Sequence, residues 1–230
     1  MRRPRFIAEQ ARHAKGMLGR AIAFIMARET WAQNRRAIKA LGVGKRDRVI
    51  DIGCGPGRSL KLLAKLASRG QVVGADPSEL MAEIAVRRNR AGVKTNRVKV
   101  VIASAASLPF EDDSFDKALC VHVLYFWNDL AAGFRDVARV LKPGGRLALV
   151  FRTDADTAAV QAFPADVYRF PARSAVIASL AEAGFAVETI DERRRTSKTP
   201  PALLIATKAE AQGSLGSLPP VARSSGSSGS

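Results

Sequence analysis

The sequence predicts an α/β fold, a mostly parallel sheet with helices on both faces and a final strand running antiparallel. Three observations predict it. From residue 48 onward, short apolar runs alternate with amphipathic stretches of about ten to fifteen residues, the signature of strand–helix–strand units. The first run ends in VIDIGCGPG (49–57), three alternating glycines between a strand and a helix. The last two runs, AVETIDERR (186–194) and ALLIATKA (202–209), are joined by a connector too short for a crossover helix, so they pair antiparallel.

The elements follow in order. Residues 5–40 read as helical, rich in Ala, Arg, Leu and Met and free of Pro, with Leu18, Ile22, Ile25 and Met26 at helical spacing. RVIDIG (48–53) is the first strand and RSLKLLAKLAS (58–68) the first amphipathic helix after it. QVVGAD (71–76) is a strand, and SELMAEIAVRRNRAG (78–92) a helix with Ser78 as N-cap and Gly92 as its stop. VKVVIAS (98–104) and FDKALCVHVL (115–124) are strands. DLAAGFRDVARVL (129–141) is a helix closed by KPGG (142–145), and RLALVFR (146–152) is a strand. ARSAVIASLAEAGF (172–185) is the last helix before the hairpin. Gly, Ser and Pro make up thirteen of the residues from 213 to 230, so 210–230 is expected to be a disordered tail, and SSGSSGS looks like an added linker.

Composition excludes several classes. The 230 residues suit one domain, and 47% hydrophobic content supplies a core. No apolar run is long enough for a membrane span, and the N-terminus lacks the pattern of a secretory signal. Cys54 and Cys120 are in no metal-type spacing and read as reduced thiols in a cytoplasmic protein. The net charge of +16 is uneven. Residues 1–48 carry thirteen Lys or Arg against three acids, a net of +10. This division sets a basic helical arm or lid, 1–44, apart from the domain at 45–209. The arm can face an anionic membrane or a nucleic acid, or be a solvated helix.

The glycines carry chemistry. Gly53, Gly55 and Gly57 remove the Cβ atoms that would bar a ligand from the backbone, and the helix after them presents free N–H groups and a positive dipole end. The spacing departs from the dinucleotide fingerprint, because the third glycine falls one residue early and Arg58 stands in its place. Asp76, at the end of the next strand, can accept hydrogen bonds from both hydroxyls of a ribose.

Together VIDIGCGPG, VVGADPS, LPFEDDSFD and RVLKPGGRLALVF resemble the class I S-adenosylmethionine-dependent methyltransferases, in the broad group that includes the quinone-biosynthesis enzymes. The resemblance covers about residues 45–208. It implies a Rossmann-like sheet of seven strands with the last antiparallel, and S-adenosyl-L-methionine as cofactor. It places Asp51, Gly53 and Gly55 at the methionine end, with Gly57 completing the turn. Asp76 falls at the ribose, Pro77 and Met81 beside the adenine, and Ala105 at an adenine nitrogen. Ser104 stands where relatives often carry Asp, which weakens that adenine contact. Val121 and His122 border the sulfonium and the acceptor.

Methyl transfer from a sulfonium is an in-line displacement, and the enzyme mainly aligns the nucleophile and excludes water. His122 is a candidate base for a hydroxyl acceptor, or a histidine capping the sheet. Tyr125 is a candidate catalytic residue beside it, and with Phe126 and Trp127 it either lines an acceptor pocket or packs under the next helix. Phe163, Tyr168 and Phe170, after the fifth strand, suit an apolar pocket wall. The place of the Asn/Asp-Pro-Pro-aromatic motif of base-methylating relatives reads VHVLYF, and aromatics in 1–48 are sparse, which argues against nucleic acid. No metal cluster appears. The reading is methyl transfer to a small apolar or aromatic acceptor, with residues 1–40 as a lid or a contact with an anionic membrane. The alternatives are a phospholipid or RNA methyltransferase using the arm, and a catalytically silent cofactor-binding module.

Overall fold

The computed structural model describes residues 4–12, 14–190 and 200–210. Seven strands form one sheet: β1 (Arg48–Ile52), β2 (Gln71–Asp76), β3 (Val98–Ile102), β4 (Phe115–Val121), β5 (Leu141–Phe151), β6 (Phe185–Thr189) and β7 (Ala202–Lys208). Their order is β3-β2-β1-β4-β5-β7-β6. β7 runs antiparallel to both β5 and β6, while β1 to β5 are mutually parallel. The expected sheet is therefore present, with β7 as the reversed strand.

The helices are α1 (Arg5–Arg12), α2 (Gly16–Glu29), α3 (Trp31–Leu41), α4 (Arg58–Leu66), α5 (Glu79–Arg88), α6 (Arg90–Lys94), α7 (Leu130–Val140), α8 (Thr157–Ala162) and α9 (Arg173–Glu182). Successive side chains of a strand point to opposite faces, and the central strands are apolar on both. Ile50, Leu147, Leu149 and Phe151 pack with Phe134 and Val137 of α7 and with Val176 and Leu180 of α9. Val49, Ala148 and Val150 pack on the other face with Ile38 and Leu41 of α3 and Leu60 and Leu63 of α4. Parallel strands buried on both faces read as near-continuous apolar runs, which is why they were legible.

Several boundaries differ from expectation. The arm is three helices rather than one. Thr30 ends α2 and begins α3, its hydroxyl donating to the Met26 carbonyl at 2.9 Å. The helix expected over 78–92 breaks at Asn89, whose amide donates to the carbonyls of Gly57 and Ala85, both at 2.9 Å. Ser78 caps α5 as expected, accepting from the Met81 N–H. Gly92 is not the stop; it lies inside α6, where a Cβ would come 2.7 Å from Val98 Cγ2. KPGG, expected to close the helix, lies within β5, and the β4–β5 register shifts between Phe115 and Lys117 beside it. β4 stops at Val121, because His122 turns to a left-handed φ of 59°. The expected strand at 186–194 ends at Thr189; residues 191–194, and 211–230 of the tail expected over 210–230, lie outside the described residues.

Candidate functional site

A cavity of about 490 Å³ opens at the carboxyl ends of β1, β2 and β4, where strand order reverses between β1 and β4. The glycine turn forms one wall. Gly53, Gly55 and Gly57 all have positive φ, at 70°, 52° and 69°. Each does different work. A Cβ on Gly53 would lie 2.2 Å from Val123 Cγ1, so this glycine lets the loop after β4 close on β1. A Cβ on Gly57 would lie 2.7 Å from the Ala85 methyl, so this one seats α4 against α5. A Cβ on Gly55 would meet nothing within 4 Å; it faces the cavity, leaving the backbone open to a ligand. Gly57 itself does not line the cavity.

Two carboxylates face each other across this turn. Asp76 accepts the Gly55 N–H on one oxygen and the Ser78 N–H on the other, each at 2.9 Å. Each oxygen keeps a free lone pair, enough for a pair of vicinal hydroxyls. Burial raises the Asp76 pKa, while the two backbone bonds pull it down. Asp51 is 3% exposed, and among the described residues no donor reaches its carboxyl. Burial, and then the charge of Asp76, push its pKa up to about 7. A cationic group beside such a carboxyl would favour its ionised form.

The far wall holds Pro77, Met81, Ser104 and Ala105. Met81 is buried against Ala14 and Ala23. Ser104 is exposed at the rim. The roof comes from the N-terminal helices. Ala23, Met26 and Ala27 of α2 and Trp31 and Asn34 of α3 line the cavity. Arg58, the first residue of α4, donates to the Ala27 carbonyl at 3.0 Å and lies 4.4 Å over the Trp31 ring. Ser59 donates to the Asn34 Oδ1 at 2.8 Å. These bonds join roof to glycine turn. Asn34, Trp31, Arg58 and Ser59 were not anticipated from sequence, since only a long-range contact brings α3 over the turn.

At the other end Val121, His122, Phe126 and Trp127 line the cavity. Tyr125 does not reach it. Its ring is buried, and its hydroxyl accepts the Arg152 N–H at 2.6 Å. The hydroxyl then donates to His122 Nδ1 at 2.8 Å, and His122 Nε2 donates to Gln33 Oε1 at 2.8 Å. Both imidazole nitrogens are thus engaged. Burial, then the charge of Arg152, lower the His122 pKa to about 4, so the ring is neutral. Burial raises that of Tyr125. Phe163, Tyr168 and Phe170 do not line the cavity. They pack on one another, and Tyr168 and Phe170 pack on Tyr125, with centroids 4.4 to 5.9 Å apart. Their apolar mass holds up the wall from behind. Among the described residues no three His, Cys, Asp or Glu side chains group as metal ligands do.

The donor set fits S-adenosylmethionine: a carboxyl for the ammonium, a carboxylate for the ribose, an open backbone at Gly55 and an apolar slot beside Met81. Residues 50–149 match a family model described as a methyltransferase domain. An uncharacterized methyltransferase of Bacillus subtilis is 32% identical over 129 residues, covering 56% of this chain and 69% of that protein. A 2-phytyl-1,4-naphtoquinone methyltransferase of Synechococcus elongatus is 38% identical over 117 residues, half of each chain. The structure of the geranyl diphosphate C-methyltransferase of Streptomyces coelicolor, which holds Mg2+, geranyl diphosphate and S-adenosyl-L-homocysteine, superposes with a TM-score of 0.64. It is 18% identical and covers 77% of each chain, a likeness of fold.

Proposed function

This chain belongs to the S-adenosylmethionine-dependent methyltransferase family, and on that premise we propose that residues 45–209 transfer a methyl group to a small apolar or aromatic acceptor. The observation that carries the cofactor half is Asp51, a buried carboxyl with no donor among the described residues, set beside Asp76 and the open face of Gly55. We read Asp51 as the ammonium site and Asp76 as the ribose site. Pro77, Met81, Ser104 and Ala105 enclose the adenine, and Val121 and His122 border the reacting centre. S-adenosylmethionine supplies a methyl group on a cationic sulfur, which an acceptor atom displaces in line.

The chain's own part is alignment and exclusion of water. Trp127 and Phe126 give the acceptor an apolar wall, and Met26 and Ala27 of α2 cover it, so that α1 and α2 act as a lid. His122 is neutral and held by Gln33 and Tyr125; in this arrangement it shapes the acceptor end, and it becomes a base only where α3 releases Nε2 and the ring proton moves to Nδ1. A relative named for a phytylated naphthoquinone supports an aromatic, prenylated acceptor. The buried, free Cys54 and Cys120 support a cytoplasmic reaction.

The test is calorimetry with S-adenosylhomocysteine, followed by a screen of phenols, quinols and amines for methyl uptake. Asp76→Ala should weaken binding by at least about 100-fold, since two charge-assisted bonds are lost. Unchanged affinity would remove Asp76 from the site. Tight cofactor binding with no turnover on any acceptor would favour a silent module.

A further inference from the structure

Helix α2 is apolar on two opposite faces, and among the described residues only one is covered. Its inner face holds Gly19, Ile22, Ala23 and Met26, packed on the domain or lining the cavity. With about 3.6 residues per turn, Met17, Leu18, Ala21, Phe24, Ile25 and Arg28 fall together on the other side. There Met17 is 88% exposed, and Leu18, Phe24 and Ile25 are each about half exposed. Phe6 of α1 is 53% exposed. A helix apolar all round is normally buried all round, and a cluster of large apolar side chains in water marks a surface that meets something.

The charge around this face selects what it meets. Residues 15–41 hold six Lys or Arg against one acid, Glu29. Lys15 and Arg28 are exposed at the two ends of α2, and Arg28 lies 5.8 Å over the Phe24 ring, its charge at the edge of the apolar patch. Arg20 also lies on α2 but shares Glu83 with Arg87. Apolar side chains ringed by cations fit a lipid surface bearing anionic headgroups. A second copy of this chain would bring the same positive charge to the contact and repel it.

We infer that the outer face of α2 docks on an anionic bilayer, while the inner face of the same helix roofs the cavity. Met17, Phe24 and Ile25 enter the headgroup boundary, with Lys15 and Arg28 among the phosphates. An apolar acceptor dissolved in the lipid then reaches the cavity past Met26 and Ala27 without crossing water. Docking needs neither cofactor nor acceptor, so it stands or falls apart from the methyl-transfer reading.

Cosedimentation of the full chain with vesicles tests this. The chain should bind equimolar phosphatidylglycerol–phosphatidylcholine vesicles at least tenfold more tightly than pure phosphatidylcholine, and less tightly at about 0.5 M salt. The double variant Met17→Ser/Phe24→Ser should lose at least tenfold in binding to the anionic vesicles, with S-adenosylhomocysteine affinity unchanged. Lys15→Glu/Arg28→Glu should lose the preference for phosphatidylglycerol. Equal sedimentation with both lipids, or full binding by Met17→Ser/Phe24→Ser, overturns the inference. So does a wild-type dimer in sedimentation velocity that this variant dissociates, with no vesicle binding, since that gives the face to a second copy.

Discussion

His122 and Gln33, 89 residues apart in sequence, meet through a 2.8 Å bond from Nε2 to Oε1, and this bond ties α3 to the carboxyl end of β4. Cutting it strands a polar group in a largely buried place. Gln33→Met should cost about 1–3 kcal/mol in urea unfolding. The neutral state of His122 also has a pH signature. Its folded pKa of about 4 lies below the unfolded value near 6.5, so between these the unfolded chain binds more protons. Its contribution is complete above pH ~6.5 and is lost as pH falls below 4, by about 3 kcal/mol in all. His122→Asn should flatten stability across that window. If His122 acts as the base, the same variant instead cuts kcat by 100-fold or more and removes an acid limb from the pH profile.

Asp51 works in the opposite sense. Its folded pKa of about 7 exceeds the unfolded value near 3.8, so the folded chain holds the extra proton. The penalty is absent below pH ~4, grows as pH rises, and is complete above 7, at roughly 4 kcal/mol. Asp51→Asn should therefore be more stable than the wild type at pH 8 and equal to it near pH 4. An ammonium beside Asp51 favours its ionised form, so S-adenosylhomocysteine should bind more tightly as pH rises from 5.5 to 7, about tenfold per unit at most, and level off above. Titration calorimetry in buffers of different ionisation enthalpy should show proton release below pH 7, and none in Asp51→Asn.

The glycine turn predicts a separation of stability from affinity. Gly55→Ala meets open space and pays only for a left-handed φ, about 1 kcal/mol, yet its methyl enters the cavity and should cost tenfold or more in cofactor affinity. Gly57→Ala pays the same strain and also collides with Ala85 and Asn89, so it should destabilise the fold more. Thermal melts paired with binding isotherms will distinguish the two.

Phe163 and Phe170 stack behind Tyr125 rather than in the cavity. Phe170→Leu should lower stability by about 1–2 kcal/mol through lost packing and leave the acceptor KM within twofold. A large KM change would mean that the loop after β5 reaches the acceptor in the working enzyme.

What was legible in the sequence was local. The Gly-rich turn, Asp76 and the Ser78 cap each depend on neighbours a few residues away, and the pattern of the central strands follows from burial on both faces. The arm was readable as helix, and Gly16 marked the start of α2, but the break at Thr30 was not legible, because Ala, Arg and Met favour helix on both sides of it. Gln33 and Asn34 look like ordinary polar positions on α3; only tertiary packing brings them to His122 and Ser59. Phe163, Tyr168 and Phe170 have the same composition whether they face a ligand or a core. Only the fold turns them toward one another.

β7 is the last strand of the sheet to be synthesised, yet it fills the space between β5 and β6. A nascent chain complete through residue 201 therefore has no partner for the outer edge of β5, along Arg146 to Phe151, where Leu147, Ala148, Leu149 and Val150 await Ala206, Ile205, Leu204 and Leu203. An unpaired apolar edge is a template for another chain. On the ribosome, β5 stays such an edge until the final seven-residue strand slides in. Slow translation across residues 190–208, or a nick ahead of Ala202, should therefore favour aggregation over a soluble, partly active enzyme.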